Sequence, residues 1–363
     1  MPPKTYPGKL TKLLYERYKK FDGAKDKGII LIPCELIADN GIELKKCIDK
    51  FIDLWNLEDG FKKWIDEACS FCPTLVDRIV PGYPRDEAEE LCKEFGYEDQ
   101  LIDTAETFGL WVIESDPNLP LDQLRKELPF EKAGLNVVFT KDHHPYKERK
   151  VRILNGSHTS FVLASYLAGN DIVKQSMDDP TIRKYMEETL FNEVIPTLSL
   201  SKEDCEEFAK AVIDRFLNPF VDHRLLSISL NSVSKWEARC LPSFLGYVKK
   251  FNKLPKYLTF SIAALMSFYS TTEVGEVNGG RCLIGDRNGE KYNIRDDQFV
   301  LDFFIENSTK SPKEFAQAYL SNTKFFGGKD LSKVDGLVET VAEYITDIRE
   351  RGMRAVVTDL VNA

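Results

Sequence analysis

The chain has 363 residues, with 49 Lys and Arg against 58 Asp and Glu, so its formal net charge is −9. A hydrophobic fraction of 43% and a charged fraction of 29% exclude disordered, collagenous and disulfide-scaffold proteins and predict ordinary globular domains, of which the length suggests two. The acidic balance and the absence of a basic stripe argue against nucleic-acid binding. The longest apolar run, at 258–269, is shorter than the about 20 residues of a membrane span, so it predicts a buried helix.

The N-terminus and the cysteines point to a cytoplasmic protein. The opening residues, MPPKTYPGKL, have neither the apolar core of a signal peptide nor the pattern of a transit peptide. The eight cysteines are scattered and are expected to be free thiols in a reducing compartment. Cys69 and Cys72 have metal-like spacing, but no second pair of ligands follows them, so packing is favoured over a zinc site. We expect no metal.

Helical and strand patterns alternate in the first 135 residues. The run at 29–32 follows Gly28 and consists of apolar residues, which is typical of a strand buried on both faces in a parallel sheet. Helical periodicity covers 10–21, 42–55 and 61–69, and strand-like runs cover 29–32, 74–81, 109–114 and 135–140. Residues 1–135 are therefore expected to form an α/β domain.

Helical periodicity dominates the remaining residues, 136–363, which predicts a mainly helical second domain. The exception is 275–295, whose repeated Gly and Asn indicate a hairpin or extended loop. The predicted helices cover 150–168, 180–195, 202–216, 222–236, 241–250, 257–269, 312–320 and 334–352.

The sharpest chemical signal is a lysine, an asparagine and a histidine near the start of one predicted helix. At 3.6 residues per turn, Lys150, Asn155 and His158 fall on one arc of about 140°. An amine, an amide and an imidazole on one face can polarise a carbonyl group and deliver or remove a proton beside it. The alternative is a satisfied polar patch at the start of a helix, and spacing alone does not decide between the two.

Several long motifs resemble the long-chain mannitol dehydrogenase family of polyol and sugar-acid oxidoreductases. They are KVRILNGSHT at 150–159, TLVDRIVPGYPRDE at 74–87, PCELIADNG at 33–41 and RFLNPFVDHRLLSISLNSVSKW at 215–236. The resemblance runs through essentially the whole chain. It implies NAD as cofactor, a sugar acid as small-molecule substrate, and a Rossmann-like domain followed by a helical domain like the C-terminal domain of 6-phosphogluconate dehydrogenase.

The same resemblance implies roles for individual residues. It makes Lys150 the general acid/base, with Asn155 and His158 holding and polarising the reacting oxygen. It places Asp77 near both the nicotinamide and the substrate, and Lys235 in the substrate pocket.

One departure from the wider family concerns the substrate. Polyol dehydrogenases of the family have a Cys-Asp-Asn run where this chain has Cys34, Glu35 and Leu36, of which Cys34 and Glu35 are expected on the cofactor side. The missing amide argues against a polyol, and a sugar acid brings a carboxylate that needs a local cation. Lys235 and Arg239 share a helix face at i and i+4, and we expect them to bind that carboxylate. A solvated cationic face is the alternative.

A second departure is the lack of a glycine-rich turn after a first strand, which would cradle the cofactor pyrophosphate. The glycines at 279–285 lie in the predicted hairpin instead. The resemblance implies that such a turn normally precedes this sequence, so we expect the chain to begin inside its cofactor domain and to bind NADH weakly or not at all.

Three alternatives to the sugar-acid oxidoreductase remain: a fructuronate reductase, a mannitol-type dehydrogenase, and an inactive fragment that acts as a binding or oligomerisation module. The oligomeric state stays open.

The remaining histidines carry weaker signals. His143 and His144 precede a proline and are expected in an exposed turn. His223 either lines the pocket or is a hydrogen-bonded core residue.

Overall fold

The computed structural model describes residues 3–80, 82–277 and 279–363. In it the chain divides into two units, Met1–Lys147 and Glu148–Ala363. Pro81 and Asn278, which fall in the predicted segments 74–81 and 275–295, lie outside the described residues.

Short strands and helices alternate in the first unit, as the sequence predicts. Its helices are α1 (Tyr6–Lys20), α2 (Asn40–Leu54), α3 (Asp59–Ala68), α4 (Ala88–Phe95) and α5 (Leu121–Glu127), and α6 (His144–Arg149) begins at its end. Its strands are β1 (Ile30–Leu31), β2 (Ser70–Phe71), β3 (Thr74–Asp77), β4 (Leu110–Glu114) and β5 (Val137–Thr140). β1 pairs in parallel with β2, and β4 pairs in parallel with β5 and antiparallel with β3. The carboxyl ends of β4 and β5 therefore lie side by side.

The helices of this unit form because each has one apolar stripe. Leu44, Ile48 and Ile52 recur every four residues along α2 and are buried with Leu14 of α1 and Phe61 of α3. The strand expected over 29–32 is shorter than predicted, because only Ile30 and Leu31 pair with a neighbour.

Helices make up most of the second unit. They are α7 (Gly156–Leu167), α8 (Val173–Asp178), α9 (Pro180–Glu188), α10 (Lys202–Phe216), α11 (Leu225–Ile228), α12 (Ser232–Arg239), α13 (Leu241–Phe251), α14 (Lys256–Phe268), α15 (Gln298–Asn307), α16 (Pro312–Leu320), α17 (Leu337–Arg351) and α18 (Met353–Asn362). The turns Lys150–Asn155 and Thr189–Val194 are π-helical. The predicted hairpin is confirmed as an antiparallel sheet of β6 (Val274–Val277), β7 (Gly280–Arg287) and β8 (Glu290–Ile294).

The helix expected over 222–236 is broken into α11 and α12. Asn231 has a left-handed backbone, with φ of +54°, which interrupts the helical path between them. Asn tolerates this conformation better than most residues, so the break is encoded at one position that periodicity does not reveal. Helices α8, α15 and α18 were not predicted.

Helix α7 lies at the centre of the second unit. Its residues from Gly156 to Tyr166 are all buried. Helix α14 packs against it and is buried from Leu258 to Met266, which confirms the buried helix predicted from the apolar run. None of the described helices combines the length and apolar character that crossing a bilayer requires.

A buried carboxylate fixes the start of α14. The two carboxylate oxygens of Glu193 accept hydrogen bonds from the backbone N–H groups of Tyr257 (2.8 Å) and Leu258 (2.7 Å). These are N–H groups of the first turn, which have no partner inside the helix. Glu193 therefore anchors the helix that supports α7.

We expect Glu193→Ala to lower the free energy of unfolding by about 2 kcal/mol or more, because two buried N–H groups lose their acceptor at about 1–3 kcal/mol each. Urea unfolding followed by circular dichroism measures the change. Glu306→Ala, on an exposed position of α15, is the matched control and should have little effect. A Glu193→Ala variant as stable as this control would show that the anchor contributes nothing.

Candidate active site

The three residues of the sequence motif lie on one continuous helical stretch. Lys150 begins and Asn155 ends the π-helical turn, and His158 lies in the first turn of α7. The 140° arc assumed an α-helix, and the first turn is different: i→i+5 hydrogen bonds in a π-helix bring Asn155 one turn above Lys150. Both residues are half-buried.

Gly156 marks a close approach between this stretch and α12. A Cβ atom at Gly156 would lie 3.4 Å from the carbonyl oxygen of Arg239, at the short limit of ordinary van der Waals contact. The thiol of Cys240 donates to the carbonyl of Gly156 at 3.6 Å. The absence of a side chain at Gly156 thus allows the motif to lie close to the end of α12.

His158 is buried between aromatic rings. Its side chain is 7% exposed and stacks on Phe216 with ring centroids 4.3 Å apart, and the ring of His223 meets it edge-on at 5.4 Å. Its Nε2 atom is buried and has no hydrogen-bond partner among the described residues. A buried polar atom without a partner is costly, so Nε2 is free to bond to a ligand oxygen.

The charges around His158 are positive. Burial holds the pKa of His158 well below its ordinary value, and His223, Arg239, Arg215 and Lys235 lower it further. Burial and Lys235 also lower the pKa of His223. At neutral pH His158 is therefore an uncharged imidazole.

Two of these cations project from α12 at i and i+4, as the sequence predicts. Lys235 Nζ donates to the carbonyl of Ile228 at 2.9 Å, and burial followed by the charge of Arg239 lowers its pKa to about 8. Arg239 Nη1 donates to the hydroxyl of Thr159 at 3.3 Å, and that hydroxyl donates to the carbonyl of Asn155 at 3.0 Å. Arg239 is thereby connected to the helical stretch that carries the motif.

The positive charge on α12 is not neutralised within the part of the chain that the structure describes. There, neither Lys235 nor Arg239 forms an ion pair, and burial lowers the pKa of both. Asp296 raises the pKa of Lys235, but its carboxylate accepts hydrogen bonds from the Tyr269 hydroxyl (2.6 Å) and the Asp297 N–H (2.8 Å). An anion bound here would restore the balance of charge.

The other predicted site residues lie in the first unit. Asp77 ends β3 and is 1% exposed. Cys34 and Glu35 lie in the exposed connection between β1 and α2. The thiol of Cys34 is itself partly shielded from water, and this shielding and the charge of Glu35 raise its pKa. The structure thus connects Arg239 to Asn155 through Thr159 and places the charges of Lys235 and Arg239 near His158. Lys150 lies on the same helical stretch of the second unit, whereas Asp77, Cys34 and Glu35 lie in the first.

The described residues do not fit the phosphate half of a dinucleotide. Between 3 and 363, outside the two undescribed positions, no strand is joined to a helix by a glycine-rich turn. The glycines at 279–285 belong to β7 and the turn before it. Strand β7 pairs antiparallel with both β6 and β8. Backbone N–H groups at a helix N-terminus are what a pyrophosphate needs, and these residues do not supply that arrangement.

Sequence reasoning missed the aromatic and hydroxyl partners of the site. Phe216, which stacks on His158, lies on another helix, so the spacing of the motif gives no signal for it. Thr159, which links Arg239 to Asn155, follows Asn155 by four residues, so helical spacing could have pointed to it. His223, left open between pocket and core, lies against His158. His143, expected in an exposed turn, is 1% exposed, because it forms hydrogen bonds with Glu114.

The eight cysteines are all unpaired, as predicted. Cys69 and Cys72 are buried, and burial raises the pKa of Cys72 to about 12, so its thiol is a packing group.

Two family models match the chain. The mannitol dehydrogenase Rossmann domain matches residues 4–125, and the mannitol dehydrogenase C-terminal domain matches residues 142–349. The chain is 44% identical over 362 residues to altronate oxidoreductase of Pectobacterium carotovorum, covering 98% of this chain and 71% of that protein. It is 43% identical over 365 residues to altronate oxidoreductase of Escherichia coli O7:K1, and this match covers 99% of this chain and 71% of that protein.

Two solved structures share the fold. Pseudomonas fluorescens mannitol 2-dehydrogenase, solved as a ternary complex with NAD and D-mannitol, superposes with a TM-score of 0.73 at 23% identity, covering 99% of this chain and 67% of that one. A D-sorbitol dehydrogenase in substrate-free form gives a TM-score of 0.76 at 23% identity, and this match covers 98% of this chain and 67% of that one.

The low pKa of His158 predicts that its ring stays neutral from about pH 8 down to well below pH 6.5, the ordinary value. Imidazole ¹⁵N resonances, assigned with His158→Gln, report this directly. The urea-unfolded chain is the control, in which His158 should titrate near pH 6.5. Titration of the folded ring at or above that pH would contradict the electrostatic picture of the site.

Proposed function

The chain belongs to the mannitol dehydrogenase family, and we propose that it is an NAD-dependent oxidoreductase that interconverts D-tagaturonate and D-altronate in hexuronate catabolism. Relatives at 42–44% identity that carry the name altronate oxidoreductase support the sugar-acid substrate. The observation that carries the proposal is the pair of half-buried cations, Lys235 and Arg239, whose charges act on His158 and its unpartnered Nε2.

When bound, the cofactor would supply the hydride as NADH in the reduction and accept it as NAD⁺ in the oxidation. The described residues act on the reacting oxygen. In the reduction, Lys150 gives a proton to the oxygen of the former ketone, and in the oxidation it removes the proton from the hydroxyl group. The amide of Asn155 and Nε2 of His158 hold this oxygen by hydrogen bonds.

His158 suits a holding role because it does not change its charge. Its low pKa keeps the ring neutral, so it can donate a hydrogen bond from Nε2 without taking the proton itself. Proton transfer is thereby left to Lys150, and general acid–base catalysis of this kind contributes about 10²–10⁴-fold to the rate.

Lys235 and Arg239 bind the carboxylate of the sugar acid. Charge-assisted hydrogen bonds to a carboxylate are stronger in a buried site, where water screens them little. On the cofactor side, the proposal assigns Cys34 and Glu35 to the binding of NAD. It assigns Asp77 to a position near both the nicotinamide and the substrate. Residues 1–135 then serve the cofactor and residues 136–363 form the substrate domain.

A fructuronate reductase is the second candidate, because the cation pair recognises a carboxylate that both hexuronates carry. An inactive binding or oligomerisation module is the alternative, because the described residues do not fit the phosphate half of a dinucleotide. We place the protein in the cytoplasm.

Assays at millimolar NADH should show faster reduction of D-tagaturonate than of D-fructuronate or D-fructose. Lys150→Met should lower that rate 100-fold or more, since it removes the proton donor. Lys184→Met, at an exposed position of α9, is the matched control. A tenfold preference for fructuronate would overturn the substrate, and equal rates for the two lysine variants would overturn the role of Lys150. Absence of both turnover and NADH binding by calorimetry would favour the inactive module.

Arg239→Ala should raise the KM for tagaturonate about 10–100-fold, because a hydrogen bond to a charged group is worth about 1.5–3 kcal/mol. The KM for the uncharged substrate fructose should change little. Arg183→Ala, which removes a half-exposed arginine of α9 that pairs with Glu187, controls for the loss of a positive charge. If Arg239→Ala left the KM for tagaturonate unchanged, Arg239 would not bind the carboxylate.

A further inference from the structure

Three connections of the first unit meet at the carboxyl ends of its strands, and they carry five side chains that have no assigned part in the reaction. Asp39 lies between β1 and α2, Glu114 ends β4, and Asp142, His143 and His144 follow β5. Because β4 and β5 are parallel neighbours, the residues at their ends lie close together. The five side chains form what we call the His-Asp cluster.

Three donor atoms of the cluster converge. Oδ1 of Asp39 lies 3.1 Å from Nε2 of His144 and 3.6 Å from Nε2 of His143. One donor atom from each of the three residues lies within 4.8 Å of the others. A tetrahedral zinc ion with bonds of about 2.0–2.1 Å holds its ligand atoms about 3.3–3.4 Å apart, so the two measured distances bracket the separation that such an ion requires.

Each imidazole is oriented by a carboxylate on its other nitrogen. Nδ1 of His143 lies 2.7 Å from Oε2 of Glu114, and Nδ1 of His144 lies 2.7 Å from Oδ1 of Asp142. A carboxylate that accepts from Nδ1 fixes the tautomer in which Nε2 carries a lone pair. This carboxylate–histidine arrangement is the usual support of histidine ligands in metal sites.

The carboxylate of Asp39 gives an independent sign of a ligand. Its Oδ1 atom is buried and has no hydrogen-bond partner among the described residues, although two imidazole nitrogens lie near it. The contact with His144 is short but lacks the alignment of a hydrogen bond, and the contact with His143 is longer than a hydrogen bond. A buried carboxylate oxygen without a partner is costly, and a cation between it and the two nitrogens would satisfy all three atoms.

We propose that Asp39, His143 and His144 bind a divalent transition-metal ion of the zinc type, with Glu114 and Asp142 as supporting residues. Two imidazoles and one carboxylate suit zinc or cobalt, whereas magnesium and calcium prefer sites made of oxygen alone. The ion ties the connections after β1 and β5 to each other, and a water molecule fills its fourth position. This differs from the expectation of no metal, because the sequence separates Asp39 from His143 by most of the first unit.

The test is a titration of the chelator-treated, tag-free full chain with Co²⁺, whose visible absorption reports tetrahedral coordination. We expect one ion per chain, without the charge-transfer band of a thiolate ligand, which separates this site from Cys69 and Cys72. Asp39→Asn and His144→Gln should each weaken binding 100-fold or more. Glu114→Gln, which removes only the support of His143, should weaken it about 10–100-fold.

Asp122→Asn, at an exposed position of α5, is the matched control and should bind as the unaltered chain does. Zn²⁺ should raise the melting temperature of the unaltered chain and of this control, but not of Asp39→Asn. Absence of saturable Co²⁺ and Zn²⁺ binding up to millimolar concentration would overturn the proposal. Equal binding by Asp39→Asn, His144→Gln and the control would overturn it too. These readouts are independent of turnover, so the result does not depend on the proposed function.

Discussion

Half-buried positive charge next to an uncharged imidazole is the interaction on which the candidate active site depends. Lys235 and Arg239 are held on one face of α12 without an ion pair in the described chain, and both lower the pKa of His158. Burying an ion costs several kcal/mol when nothing pairs with it. The low dielectric that imposes this cost also strengthens the attraction for an incoming anion. A site of this kind is less stable when empty and selective for negatively charged ligands.

The fold holds this charge in place through its central helix. Gly156 allows α12 to approach the motif closely, and the hydroxyl of Thr159 connects Arg239 to the carbonyl of Asn155. Helix α14 supports α7 from another side and is itself fixed by Glu193. The three polar groups proposed to act on the substrate oxygen therefore stand on a stretch whose position is determined by packing on several sides.

Local patterns in the sequence predict much of this arrangement. The motif lies on a helix, Lys235 and Arg239 share a face, the run at 258–269 is a buried helix, and the glycines at 279–285 lie in β7 and the turn before it. All of these follow from spacing between near neighbours, which periodicity reports.

Features that depend on distant residues could not be predicted. The π-helical turn before α7 has no sequence pattern of its own, and the contacts of His158 with Phe216 and His223 join separate elements. His143 looks like a turn residue because it precedes His144 and a proline, whereas its partner Glu114 comes from another strand. Sequence spacing carries no information about such pairs, since tertiary packing alone brings them together.

The central claim is that His158 and its neighbouring cations form a binding site for a sugar acid. Its most direct test is a titration of the chain with D-altronate, followed by the imidazole ¹⁵N resonances of His158, with D-mannitol as the uncharged control. The account predicts a saturable shift of the Nε2 resonance with altronate and a much weaker response to mannitol. An unchanged Nε2 resonance at saturating altronate, or equal shifts with the two ligands, would contradict it.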